Sequence, residues 1–119
     1  MSTTLFNNEP NTRHFAAGDV IFEAGSNGRT MFAVQSGEVD LLVASAIVET
    51  VGPEGFFGEM ALLEDAPRSA TAVARTECSL AEIDSFSFTR HVTRNPFFAL
   101  EVMRVLAARL RKAGSGRSA

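Results

Sequence analysis

Short apolar runs separated by glycine-containing turns place the strongest constraint on how this chain can fold. Val20-Ile21-Phe22 and Met31 to Val34 are two such runs, and Gly37 stands in the turn that follows the second. Runs of this length, rich in β-branched and aromatic residues, are typical of strands and are too short for helices. Further strand candidates are His14–Ala16, Val39–Val43, Ile47–Val51, Thr71–Thr76 and Cys78–Ile83. The series predicts an all-β barrel or roll.

A helical pattern replaces the strand pattern after Asp84. Asp84 or Ser85 can cap a first helix. Asn95-Pro96 interrupts it, because proline disfavours helix at the preceding residue and suits the start of a new one. A second helix is predicted from Phe97 to Lys112. We therefore expect an antiparallel β-roll of the jelly-roll type (a double-stranded β-helix), with about eight strands and with α-helices at its C-terminal end.

The composition limits the classes of protein to which the chain can belong. At 119 residues the length suits one domain, and the net charge of −3 gives no sign of attraction to nucleic acid. Cys78 is the only cysteine, so the chain has neither an internal disulfide nor a cysteine cluster for zinc. The first residues do not resemble a signal peptide, and no apolar run reaches the roughly 18 residues of a membrane span. We expect a cytoplasmic protein with no membrane segment and no direct contact with nucleic acid.

The sequence predicts one domain between two polar ends, and nothing in it indicates catalysis. Residues 1–13 are expected to form an N-terminal arm, residues 14–113 the domain, and residues 114–119 a flexible tail. His14 and His91 lie in unrelated patterns, and Glu64 and Asp65 are typical of a solvated turn. No nucleophile motif such as Gly-x-Ser-x-Gly occurs. We predict no catalytic residue, no metal ligand and no cofactor.

The stretch from Phe57 to Ala72 has a chemistry that suits a small phosphorylated sugar. Gly58 lacks a Cβ, so a ligand can approach the backbone closely there. The run from Met60 to Leu63 favours a helical turn, whose free amides would face an anion. Glu59 can accept hydrogen bonds from ribose hydroxyls, and Arg68 offers a planar fork of donors to two phosphate oxygens.

This order of residues resembles the phosphate-binding cassette of the cyclic nucleotide-binding domain family, which includes transcription regulators of the cAMP-receptor type. The family pattern is Gly-Glu-apolar-Ala-Leu, a turn, and then Arg-Ser/Thr-Ala; it is matched at Gly58, Glu59, Met60, Ala61, Leu62, Arg68, Ser69 and Ala70. The glycine turns around it extend the resemblance to residues 14–113. The resemblance implies that Glu59 binds the ribose 2′-hydroxyl and Arg68 the cyclic phosphate. Ser69 and the amides near Met60 and Ala61 would complete the phosphate cradle.

The resemblance also implies which residues line the pocket and which nucleotide it holds. Leu41, Val48 and Val51 are the best candidates for contact with the base or ribose, with plain core packing as an equal alternative for each. The late part of the second helix carries no hydroxyl, so Arg109 (or Arg111) is expected to fold over the base. Ser69, in place of threonine, favours cAMP over cGMP as the ligand.

The expected function is that of a regulatory domain that binds a cyclic nucleotide and transmits its occupancy through the C-terminal helix to an unidentified effector. The apolar residues of that helix cover more than one face, which predicts a homodimer through residues 97–110. A helix that closes over the pocket as a lid is the alternative. The helix-turn-helix domain that follows this helix in the transcription regulators is not in the sequence, so the chain is either a stand-alone subunit or part of a longer protein.

Two other interpretations stay open at this point. Glu59 and Arg68 could form a structural ion pair at a surface turn, worth about 0–1 kcal/mol. The whole domain could be a ligand-independent dimerisation or docking module on the same fold. Such a module would have no need of Gly58, Glu59, Arg68 and Ser69 together.

Overall fold

The computed structural model describes Glu9 and residues 11–115, with side chains as far as Lys112. Within these residues it contains eight strands and three helices, which confirms the predicted antiparallel roll followed by helices. The strands are β1 Thr12–Phe15, β2 Val20–Phe22, β3 Met31–Ser36, β4 Val39–Val43, β5 Ala46–Val51, β6 Phe56–Phe57, β7 Thr71–Ala74 and β8 Cys78–Ile83. The helices are α1 Met60–Leu63, α2 Ser85–Arg94 and α3 Phe97–Ser115.

The strands form two four-stranded antiparallel sheets, ordered β1-β8-β3-β6 and β2-β7-β4-β5. Side chains from both sheets meet in one core, which consists of Phe32, Val34, Val39, Val51, Phe57, Ala72, Ala74, Cys78 and Leu80. The segment that contains α1 leaves the first sheet at β6 and enters the second at β7. It is therefore held at both ends by buried strands.

Gly37, in the turn between β3 and β4, lies directly against the start of β8. Its φ of +84° is in the left-handed region that favours glycine. A Cβ at this position would collide with the Glu77 carbonyl oxygen and would lie 2.5 Å from the Cβ of Cys78. Cys78 is buried in the core, and its burial raises the pKa of the thiol.

The first strand begins earlier, and the last helix ends later, than the sequence suggested. Thr12 and Arg13, which were expected in the arm, pair with Ala81 and Leu80 in the ladder between β1 and β8. Their polar side chains gave no sign of a strand. An edge strand can nevertheless keep alternate side chains in water. At the other end, α3 continues to Ser115, three residues past the predicted end at Lys112. Residues 1–8, 10 and 116–119, which make up most of the predicted arm and tail, lie outside the described residues.

α1 belongs to the same compact unit as the roll, which ends at Ser85, whereas α2 from Phe86 onward and α3 belong to a second unit. The Phe88 and Phe98 rings pack with their centroids 5.4 Å apart and join α2 to α3. Asn95-Pro96 separates the two helices, and the amide of Phe98 donates to the Asn95 carbonyl at the start of α3. None of the helices among the described residues combines the length and the apolar character needed to cross a bilayer.

Candidate ligand-binding site

The cassette is anchored to the roll by two buried aromatic residues. Phe56 and Phe57 form β6, pair with Ala33 and Phe32 of β3, and are both buried. Gly58 follows with a φ of +78°, a conformation that reverses the chain and is disfavoured for residues with a Cβ. Glu59 then precedes the single-turn helix α1. The sequence of the cassette therefore places a glycine and a carboxylate where the chain leaves the first sheet.

The backbone of Arg68 is fixed by the turn that follows β2. The Arg68 amide donates to the Ser26 carbonyl at 2.8 Å, and the Gly25 amide donates to the Arg68 carbonyl at 2.8 Å. Strand β7 begins three residues later, at Thr71. Arg68 thus has a defined position, although it lies outside helix and strand.

The side chain of Arg68 is buried, with 9% of its surface exposed, and lies against aromatic rings. Its Cζ is 4.2 Å from the centroid of Phe22 and 6.0 Å from that of Phe32. Its Nη1 donates to the Gly58 carbonyl at 3.2 Å. A Cβ at Gly58 would come within 2.9 Å of the same Nη1, so any other residue here would displace the guanidinium as well as strain the backbone at this φ.

The Nε of Arg68 is buried and has no hydrogen-bond partner. Burial lowers the pKa of Arg68, and the negative charge of Glu82 opposes this effect. An arginine nevertheless stays protonated in proteins, so the site holds a desolvated positive charge with an unused donor. Leaving such a donor unbonded costs about 1–3 kcal/mol, which an anion that reaches it would offset. The arrangement therefore suits an anionic group.

Glu82 supplies a negative charge near this site from β8, but it is engaged by other groups. Thr30 donates from its hydroxyl to one carboxylate oxygen at 2.9 Å. Arg13 reaches the other oxygen at 3.3 Å. Thr30 and Arg13 thus hold the carboxylate of Glu82 in place, and from there its negative charge stabilises the charged form of Arg68.

Glu59, the second predicted contact, is also buried, with 5% of its surface exposed. It lies at the N-cap of α1 without capping the helix through its side chain. Glu59 and Arg68 are both buried, whereas the alternative of a structural ion pair placed them at a surface turn. One carboxylate and one guanidinium held away from water within a short segment are typical of a binding site.

The other predicted cassette contacts are placed differently. The Ala61 amide donates to the Gly58 carbonyl at 3.2 Å, so in this structure it closes the turn before α1. Met60 and Ser69 are exposed and Ala70 is half-buried. Ser69 therefore presents its hydroxyl at the surface next to the buried Arg68.

The predicted pocket walls divide between the core and the surface. Leu41 packs against the core and faces Ala72 in the ladder between β4 and β7, while Val51 is itself a core residue. Val48 is 42% exposed and lies in β5, the edge strand of its sheet, where the paired neighbour Ile47 is exposed as well. Arg109 lies in α3, in the helical unit, and is half-buried.

Three residues around Arg68 were missed by the sequence analysis. Phe22 and Phe32 contribute their rings, and Gly28 lies so close that a Cβ there would be 2.5 Å from Nη2 and 2.6 Å from Nε. Gly28 was visible in the sequence as part of a turn, but nothing in the local pattern connects that turn with a residue forty positions later. The pairing of β2 with β7, which brings them together, is a property of the sheet.

Comparisons with known proteins show the family of the chain. The family described as "Cyclic nucleotide-binding domain" matches residues 12–95. The chain is 35% identical over 96 residues to a cAMP-dependent protein kinase regulatory subunit from Eremothecium gossypii, covering 81% of this chain and 21% of the relative. Across three curated relatives, the chain spans between 16% and 21% of the relative's length.

Two solved structures share the fold. One comes from work on a cyclic-GMP-dependent signalling pathway that regulates bacterial phytopathogenesis; it has a TM-score of 0.71 and 36% identity, covering 83% of this chain and 82% of that one. The other is the catabolite activator protein of Thermus thermophilus, with a TM-score of 0.76 and 32% identity, covering 87% of this chain and 51% of that one. The matched residues include the whole roll and the cassette with Gly58, Glu59 and Arg68. The chain belongs to the cyclic nucleotide-binding domain family.

Proposed function

We propose that this domain binds cAMP as a regulatory ligand, without chemical turnover. The observation that carries the proposal is Arg68, a buried cation with an unbonded Nε, in a cassette that also buries the carboxylate of Glu59. A cyclic nucleotide has complementary chemistry, since its phosphate is an anion and its ribose 2′-hydroxyl is a donor. Arg68 would bind two phosphate oxygens through its fork and Glu59 would accept from the ribose.

The remaining contacts of the proposed ligand follow from the positions of the predicted residues. Ser69, exposed beside Arg68, would donate its hydroxyl to the phosphate, together with amides near Met60, Ala61 and Ala70. Leu41 and Val51 would give the base or ribose an apolar floor, with Val48 at its edge. Arg109 is proposed to cover the base. The choice of cAMP over cGMP rests on Ser69 in place of threonine.

Titration calorimetry of the full chain with cAMP, cGMP and linear AMP tests the proposal. We expect cAMP to bind most tightly, and AMP to bind weakly because its phosphate is not fixed relative to the ribose. Tighter binding of cGMP would keep the family function and overturn the assignment of the base. If no cyclic nucleotide binds, the proposal is wrong and the ligand-independent docking module becomes the better account.

We propose further that the domain acts in the cytoplasm as part of a signalling assembly whose effector is still to be identified. The kinase regulatory subunit that it resembles is several times longer than the matched segment, so the effector is not deduced from the relative. The lone buried thiol of Cys78 suits a reducing compartment. The net charge of −3 favours a protein or small-molecule partner over nucleic acid.

Ligand occupancy is proposed to reach the effector through α3. A ligand can shift this helix only if it binds two arrangements of the chain with different affinity. The chain passes from β8 to α2 through Asp84 alone, so a movement of the roll has a short route to the helices. We expect hydrogen exchange in residues 97–110 to slow when cAMP is saturating. Identical exchange with and without cAMP would contradict the coupling.

The same helix is proposed to form a homodimer. Leu100, Met103, Ala107 and Leu110 recur at a spacing of three and four residues, which is the pattern of a short coiled-coil seam. Met103 and Leu110 are 59% and 71% exposed. Val102, by contrast, is buried, so it is not a candidate for a contact with a second copy.

Sedimentation velocity of the double variant Met103→Glu, Leu110→Glu tests the dimer. We expect the wild type to sediment as a dimer at micromolar concentration with cAMP bound, and the variant as a monomer, because two carboxylates would be buried in the seam. Ala108→Glu, an exposed site on another side of α3, should leave the dimer intact. A monomeric wild type would refute the dimer and favour the helix as a lid.

A further inference from the structure

The guanidinium of Arg68 lies over an aromatic ring that is itself rigidly held. Phe22 ends β2, and its ring centroid is 6.0 Å from that of Phe32 and 5.8 Å from that of Phe57. Phe32 and Phe57 are buried and stack on each other at 5.5 Å. The ring of Phe22 is therefore a fixed surface, at 4.2 Å from Cζ of Arg68.

The ring of Phe22 holds the guanidinium of Arg68 without occupying the N–H donors of the guanidinium. The donors of a guanidinium lie in its plane and point outward from its edges, whereas an aromatic ring attracts the cation through its face. Of the donors, Nη1 is bonded to the Gly58 carbonyl and Nε has no partner. A carboxylate in place of the ring would accept hydrogen bonds from the N–H groups at those edges and neutralise the charge of Arg68.

The two glycines beside Arg68 limit where the guanidinium can lie. A Cβ at Gly28 would be nearer to Nη2 and Nε, at 2.5 and 2.6 Å, than to Cζ at 2.8 Å, so it would press on that edge of the group. A Cβ at Gly58 would press on Nη1 at 2.9 Å. Because both positions are glycine, the guanidinium can lie on the ring of Phe22, between the turn that contains Gly28 and the cassette.

We propose that Phe22 is a positioning residue of the phosphate site, which holds the guanidinium of Arg68 by its face so that its edge donors stay available to an anion. The inference rests on the proposed function for the identity of that anion. It adds a residue outside the cassette, from a strand that precedes Arg68 by more than forty positions. It also explains how a buried cation is kept in place before any phosphate arrives.

The ligand-free protein gives the first test. In the NMR spectrum of the full chain, the Nε proton of Arg68, assigned by its loss in Arg68→Lys, should be shifted upfield by the ring current of Phe22. Phe22→Leu should remove that shift. If the resonance has no such shift, or keeps it in the variant, the inference is wrong whether or not the protein binds a nucleotide.

Binding gives the second test, by calorimetry with cAMP. Replacing Phe22 with trifluorophenylalanine keeps the size of the ring and weakens its negative face, so the core is preserved even if Phe22→Leu is poorly folded. Both changes should lower the affinity by about 2- to 30-fold. Phe15→Leu is the matched control, because Phe15 packs on the same core and carries a different cation, Arg13, at 5.1 Å.

The outcomes separate this inference from the proposed function. Unchanged cAMP affinity in the fluorinated protein, or an equal loss in Phe15→Leu, would overturn the role of Phe22. If the wild type binds no cyclic nucleotide, the proposed function fails, and inorganic phosphate then serves as the anion. A phosphate-dependent movement of the Arg68 Nε resonance that is reduced in Phe22→Leu would still support the inference, and no movement in the wild type would overturn it.

Discussion

Arg68→Ala is expected to remove most of the affinity for cAMP while the roll stays folded. The phosphate would lose its cation in a site from which water is excluded, and truncating one member of such a buried charge pair costs about 2–5 kcal/mol. This corresponds to a loss of affinity between roughly 30-fold and several thousand-fold. The fold should change less, because the variant also removes a buried Nε that has no partner. Calorimetry with cAMP and thermal unfolding of the ligand-free chain measure the two effects separately.

Two matched variants make this result specific. Arg68→Lys keeps the charge but loses the planar fork, so its affinity should lie between those of the wild type and the alanine variant. Glu59→Gln removes an acceptor for the ribose and leaves the phosphate contact in place, so it should cost less than Arg68→Ala. Equal affinity of Arg68→Ala and the wild type would show that the anion site has been assigned to the wrong residue.

Gly37→Ala is expected to destabilise the roll more than a glycine-to-alanine change at any other glycine of the roll. Alanine at a φ of +84° costs about 1–2 kcal/mol through backbone strain. The added methyl group would also collide with the Glu77 carbonyl and the Cβ of Cys78, and overpacking of this kind adds about 1–3 kcal/mol. We expect a total of about 2–5 kcal/mol from these two effects. Urea unfolding gives the free energy directly.

Gly18→Ala is the control that separates strain from collision. Gly18 has a similar φ of +90°, but a Cβ there would meet no atom within 4 Å. Gly18→Ala should therefore lower the free energy of unfolding only by the contribution of backbone strain. If Gly37→Ala and Gly18→Ala unfold at the same urea concentration, the added methyl group at Gly37 causes no collision with Cys78. The turn would then not lie directly against β8.

The elements that could be predicted are those whose signal is local. Cys78–Ile83 alternates and is bounded by turns, and β8 occupies these same residues. Met60–Leu63 forms α1 as its helix-favouring composition indicated, and Pro96 separates α2 from α3. Thr12 and Arg13 were missed because pairing with β8, and not their own polarity, makes them a strand.

The candidate site was predictable in its charged groups and not in its surroundings. Arg68 and Glu59 follow from the cassette motif, because the motif fixes residue types at short spacing. Their burial and the ring beneath Arg68 depend on the register between β2 and β7, which contains an irregularity between Val20 and Phe22. The exposure of Val48 reflects the position of β5 at the edge of its sheet. Registers of this kind are set by the whole sheet, so the alternation within one strand does not reveal them.

The order of strands has a consequence for how the chain reaches its native state. β7 lies between β2 and β4, and β8 lies between β1 and β3, so the last two strands to leave the ribosome occupy the interior of both sheets. Until residues 71–83 have been synthesised, the earlier strands keep open edges that invite pairing with other chains. The transition state must close these long loops, which slows folding to a range of about milliseconds to seconds. The cassette, placed immediately before β7, acquires its shape only as this closure takes place.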